Sequence, residues 1–131
     1  MSDSTGTLVL QPEASELRAV REFVGDWAER CGLSEAEAFH ARLVATEAVA
    51  NAIMHGGDGH AIEVTCTGDD GGLRIEVRDR GEFKSDSDDR DGSGGRGISI
   101  IRALTRRMHI DAGEGGTGIS MRLGSTLSRA A

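Results

Sequence analysis

The chain is short of several residue types, and most of the shortages exclude something. A single lysine, Lys84, stands against fourteen arginines. The GxxxxGK[ST] loop needs a lysine after its glycines, and nothing around Lys84 supplies that setting, so this is no P-loop enzyme. Only two cysteines occur, Cys31 and Cys66, with neither a CxxC pair nor histidines at ligand spacing. A structural zinc site is therefore not expected, and the thiols read as those of a reduced, cytoplasmic protein. No run of about 18 apolar residues is present, so no membrane span is expected. The first residues lack a basic segment followed by an apolar one, and no secretory signal is read there. Positive charge is also in deficit: 15 basic against 22 acidic side chains give a net charge of −7. Direct nucleic-acid binding is disfavoured on that ground. Aromatics are nearly absent, limited to Phe23, Trp27, Phe39 and Phe83, with no tyrosine, and Pro12 is the one proline.

What the chain does have is glycine. Of 19 glycines, 15 lie between Gly56 and Gly118. Clustering of that kind points to loops that approach a ligand closely rather than to a linker. Its 131 residues suit one compact domain, with a core over about 7–123 and frayed ends at 1–6 and 124–131.

The hydrophobic pattern gives the elements. Thr7–Leu10 reads as a short strand, and Pro12 suits the first turn of a helix. Leu17, Val20, Val24, Trp27 and Cys31 then recur at helical spacing up to Gly32. Ser34 and Glu37 form an S-x-x-E capping box that opens a second helix, expected to run to His55. Phe39, Leu43, Ala50 and Met54 are its expected apolar positions, with Glu47, Asn51 and His55 on a neighbouring strip. Residues 61–67 and 73–79 alternate apolar with polar around Asp69-Asp70-Gly71-Gly72, which predicts a β-hairpin. After a long polar segment, Ile98, Ile101, Leu104 and Met108 predict a third helix. A second hairpin follows around 113–116. The economical packing is a two-layer α/β (α+β) sandwich, with three helices on one face of a mixed sheet.

Several positions have both a chemical and a plain reading. Asp79, ending a strand two residues before Gly81, can accept a hydrogen bond from an amino group while Gly81 admits a flat ring. It is also what a common Asp-Arg-Gly turn contains. The stretch Gly92–Gly97 opens a helix, where free N–H groups and Arg96 favour a phosphate. It equally describes a flexible connection, and the preceding acidic run of Asp86, Asp88, Asp89 and Asp91 reads as a solvated loop. Glu47 and Asn51 lie one helical turn apart. An amide oxygen suits Mg²⁺, and a carboxylate beside it can orient or deprotonate a hydroxyl.

These motifs occur in a telling order: Glu47 and Asn51, then Asp79-x-Gly81, then Gly94-Gly95-Arg96-Gly97, then Gly116-Thr117. Together they resemble the GHKL ATPase superfamily, whose nucleotide fold is the Bergerat sandwich. The segments Thr46–Gly56 and Gly94–Leu104 are most similar to the anti-sigma-factor serine-protein kinases of bacterial partner-switching systems. The resemblance implies ATP and Mg²⁺ as ligands, with Asn51 on the metal and Glu47 orienting or activating the attacking hydroxyl. It implies Asp79, Gly81 and Thr117 around the adenine, and Gly94, Gly95, Arg96 and Gly97 closing over the phosphates. The implied partners are a sigma factor, an antagonist protein carrying a phosphoacceptor serine, and a second copy of the chain. That homodimer is expected to use the first strand near Leu8 and Leu10. Two positions depart from the pattern: Phe83 replaces the last glycine of DxGxG, and Ser99 stands where a further glycine often lies. A second reading keeps the fold without the catalysis, as a protein-binding module that uses nucleotide as a switch or not at all.

Overall fold

The structure, a computed structural model, describes residues 4–55, 59–69, 72–79, 95–113 and 116–124. Strand β1 (Ser4–Leu10) leads through a 3-10 turn (Ala14–Glu16) into α1 (Leu17–Arg30) and α2 (Glu35–His55). The hairpin β2 (Ile62–Asp69) and β3 (Gly72–Asp79) comes next, then α3 (Gly95–Leu104) and a second hairpin, β4 (Arg107–Gly113) and β5 (Gly116–Gly124).

Local sequence explains the helix ends. The Ser34 Oγ accepts from the Glu37 N–H at 3.1 Å, while the Glu37 Oε1 accepts from the Ser34 N–H at 3.3 Å. The capping box is thus formed in both directions. At the end of α1, Gly32 sits at φ +76°, its N–H donates to the Glu29 carbonyl, and the Leu33 N–H donates to the Ala28 carbonyl. This is a Schellman stop, which a left-handed glycine makes cheap. Pro12 stands ahead of the 3-10 turn rather than inside the helix, which begins at Leu17.

The five strands lie in the order β1-β2-β3-β5-β4, and every neighbouring pair is antiparallel. The expected mixed sheet is corrected on this point. The crossover through α3 does make β3 and β4 parallel, but it leaves one slot between them, and β5 returns into that slot antiparallel to both. Strand β1 also starts earlier than alternation predicts. Ser4 already faces Gly68, Thr5 and Thr7 share hydroxyl hydrogen bonds with Thr67 and Thr65, and Gly6 lies under Trp27. A Cβ on Gly6 would come within 2.9 Å of the Trp27 ring, so glycine there permits the packing.

One face of the sheet carries the core. Ile62, Val64, Cys66, Leu73, Ile75, Val77, Ile119, Met121 and Leu123 are all buried beneath the helices. From above, α1 contributes Val20, Val24, Trp27 and Ala28, and α3 contributes Ile98 and Ile101. The buried face of α2 is Ala41, Val44, Ala45, Ala48, Val49 and Ala52. The expected stripe through Phe39 and Met54 lies about half a turn away: Phe39 is 56% and Met54 63% exposed. Small side chains win because α2 packs on α1, α3 and the sheet at once, and alanine and valine let all three approach. Leu8 and Leu10 also face this core, Leu10 fully and Leu8 in part, while Val9 points outward. Among the described residues no helix is long and apolar enough to cross a membrane.

Candidate nucleotide site

The topology gathers the ordered motifs at one end of the sandwich. Helix α2 ends at His55 and β2 begins at Ile62, so the short link holds the last turns of α2 near the start of β2. That start pairs with the end of β3, Glu63 facing Arg78. The next position of β3, Asp79, pairs with Thr117 at the start of β5. Helix α3 follows β3 in the chain and packs on α2.

On α2, Glu47 and Asn51 are both half-buried, on the flank between the core face and solvent. The first turn of α3 rests on this flank. A Cβ built on Gly97 would lie 3.2 Å from the Glu47 Oε1 and 4.0 Å from the Glu47 backbone carbonyl. Glycine at 97 therefore brings the helix start against the carboxylate, and any side chain would push the two apart. Ile98 and Ile101 anchor α3 from below, and the Thr105 Oγ1 donates to the Ile101 carbonyl at 2.8 Å where the helix ends. The first turn of a helix leaves its N–H groups without intrahelical partners and carries the positive end of the helix dipole.

Where β3 and β5 pair at this end, Asp79 is half-buried and Thr117 only 4% exposed, and each has an interaction partner. Register sets the two side chains opposite each other, and neither is a freely solvated strand end. Gly95 and Gly97 are in the first turn of α3. Gly81 and Gly94, with Phe83 and the acidic run, fall outside the described residues, as does the Arg96 side chain. Ser99 is exposed and partnered. A shallow cleft of about 920 Å³ between α1 and α2, lined by Arg21, Asp26, Glu29 and Arg42 among others, includes none of the expected site residues.

Among the described residues no three of His, Cys, Asp and Glu cluster as a cage would require. Asn51 offers one hard amide oxygen, half-buried beside a carboxylate. That suits Mg²⁺, which keeps most of its shell as water and phosphate, and does not suit zinc.

Residues 10–123 match the model of the histidine kinase-like ATPase domain. The chain belongs to that family. Membership carries ATP binding as the ligand class. Solved structures share the fold, among them the following two. One is the crystal structure of the RsbU and RsbW domains of Rv1364c from Mycobacterium tuberculosis, at 23% identity and a TM-score of 0.69. The match covers 93% of this chain and 33% of that one, so the chain spans about a third of its length. The other is a histidine kinase domain from the blue-light-activated histidine kinase of Erythrobacter litoralis, at 17% identity and a TM-score of 0.57, covering 85% of this chain and 63% of that one.

Sequence reasoning missed two features of this ATPase domain. The contact of Gly97 with Glu47 joins residues fifty apart and has no local signature. On the outer sheet face, pairing in register brings Arg74, Arg122 and Arg107 side by side, which only the strand order reveals.

Proposed function

We propose that the chain is an ATP-binding anti-sigma factor with serine-protein kinase activity toward an anti-sigma-factor antagonist. The observation that carries this reading is Glu47, one turn before Asn51 and in contact with the first turn of α3 at Gly97. A domain that only binds nucleotide has no need of a carboxylate held at that place. The likeness to a structure containing an RsbW domain, at 93% coverage of this chain, supports the choice within the family.

In this reading Asp79 accepts from the adenine amino group, Thr117 supports the base, and Gly81 lies beneath the ring. Asn51 holds Mg²⁺, which would neutralise charge on the phosphates. Gly94, Gly95, Arg96 and Gly97 lie over the phosphates, with the N–H groups of α3 pointing at them. Glu47 orients the serine hydroxyl of the antagonist and accepts its proton as the oxygen attacks the γ-phosphorus; the bond to ADP breaks and the phosphoserine leaves. Transfer of this kind rests on positioning and charge neutralisation. Incubation with labelled ATP, Mg²⁺ and the antagonist should label that protein, and Glu47→Ala should remove the label. Label that persists in Glu47→Ala, or none with the parent chain, overturns the kinase reading.

Phe83, in place of a glycine of the DxGxG pattern, supports the second reading of a non-catalytic nucleotide-responsive module. Undetectable turnover with sigma-factor binding retained in Glu47→Ala would favour it. The homodimer is proposed across the β1 edge, through its backbone and Val9, since Leu8 and Leu10 face the core. Sedimentation as a monomer at high concentration would remove that proposal.

A further inference from the structure

The outer face of the sheet carries a feature that the nucleotide site does not use. Register places Arg74 opposite Arg122 and Arg122 opposite Arg107, three arginines abreast on β3, β5 and β4. Like charges directly opposite each other on a sheet are unfavourable. The middle one is compensated: Arg122 makes a two-pronged ion pair with Asp69, with one arm at 3.3 Å. Arg74 and Arg107 have no ion-pair partner among the described residues. The nearby carboxylate of Glu76 is taken by Arg78 at 2.9 Å. Arg106 adds a fourth cation, held in place by donation from its Nε to the Gly124 carbonyl at 3.0 Å. These side chains, with His109 and Ser120, line a cleft of about 420 Å³. On a chain of net charge −7 this is a local reversal of sign.

The geometry points to a docking site for a carboxylate-rich segment of a partner protein. Guanidinium forks match carboxylates two bonds at a time. Arg74 and Arg107 stand two strands apart, about 10 Å, a span that two or three acidic side chains of an extended peptide cover. A nucleic-acid tract fits less well. The overall negative charge repels a long polyanion, and no aromatic ring other than His109 lines the cleft for bases to stack on. The site is separate from the nucleotide cleft. Arg74 is five residues along β3 from Asp79, about 17 Å, and on the face away from α2. It therefore stands whether or not the kinase reading does.

Fluorescence anisotropy of a labelled ten-residue poly-glutamate peptide, titrated with the full chain at moderate salt, tests this. Poly-glutamine and a single-stranded ten-nucleotide DNA serve as comparison probes. The acidic peptide should bind best. Arg74→Gln with Arg107→Gln should weaken it about tenfold or more, while Arg18→Gln with Arg21→Gln on α1 should not. Circular dichroism confirms that both double variants fold, as expected for exposed positions. Equal binding by the Arg74/Arg107 variant overturns the proposal, as does DNA binding as tightly as the peptide. A self-association lost in that same variant also overturns it, because the face would then belong to a second copy.

Discussion

Replacing Gly97 by alanine separates positioning from binding at the nucleotide site. The added Cβ would stand 3.2 Å from the Glu47 Oε1, closer than such atoms ordinarily approach, so the carboxylate must retreat by a few tenths of an ångström. Misplacement of a reacting group by 1 Å costs about 100-fold in rate, and ~0.3 Å on the same scale costs about fourfold. The backbone effect runs the other way: alanine is favoured over glycine in a helix by up to ~1 kcal/mol. Gly97→Ala should therefore melt no lower than the parent and bind Mg-ATP within about twofold, yet transfer label about fourfold more slowly. Gly97→Val, with two further carbons against the same oxygen, should lose at least about tenfold. Single-turnover transfer, thermal melting and calorimetric titration read the three quantities separately. The decisive control repeats Gly97→Ala in a Glu47→Ala background and reads thermal melting, which needs no transfer: with the carboxylate gone the new methyl meets no oxygen at 3.2 Å, so alanine should raise the Tm more there than in the parent. An equal change in Tm in both backgrounds would refute the idea that Gly97 acts through Glu47.

The other predictions concern binding, capping and the buried thiol. Asn51→Ala should abolish Mg-ATP binding in a calorimetric titration while leaving the fold intact, because Asn51 is half-buried on the flank of α2 rather than in its core; unchanged affinity would remove Asn51 from the metal. Ser34→Ala removes an N-cap acceptor 3.1 Å from the Glu37 N–H and should cost about 1 kcal/mol, a fall of roughly 3–5 °C in Tm. The double variant with Glu37→Ala should cost less than the two singles added, since each side chain caps the other. Burial, and then the neighbouring Cys31, pushes the Cys66 thiol up from 9.0 to about 12. The unfolded chain then loses that proton at lower pH than the folded one, so the contribution is complete below pH 9 and is lost as pH rises towards about 12. Denaturant midpoints should fall over that window and fall less in Cys66→Ala; equal alkaline falls in both would show that the thiol is not the cause.

Local signals in this chain were legible and non-local ones were not. The capping box at Ser34 and Glu37, and the stop at Gly32, depend on residues within one or two turns, so the sequence alone locates them. The core face of α2 was misread because Phe39 and Met54 outweigh alanines in any apolar tally. Three-sided packing rewards small side chains instead, and the bulky ones are left outside. Ser4–Gly6 shows no alternation, yet it pairs with β2 because Gly6 makes room for Trp27, a contact with α1 that no reading along the strand could supply. The antiparallel slot taken by β5 is of the same kind, since strand order is a property of the whole sheet.

The candidate site follows the same division, and this explains why motif order carried more weight than any single motif. Glu47 and Asn51 declare themselves by one-turn spacing, but Asp79 on its own is indistinguishable from a turn residue. What singles it out as a candidate is that register sets it beside Thr117, at the end of the sheet where β2 begins and α2 has just finished. A chain that brings the last turns of α2, the end of β3 and the start of α3 to one end of a sandwich sets whatever those positions carry near one another. Charge behaves similarly. The net −7 describes the field at a distance, whereas the start of α3 beside Glu47 and the arginine row on the opposite face each set a positive field over about one Debye length. An acidic chain can therefore hold a polyanionic nucleotide on one face and an acidic peptide on the other, because each ligand responds to the nearest few groups and not to the total.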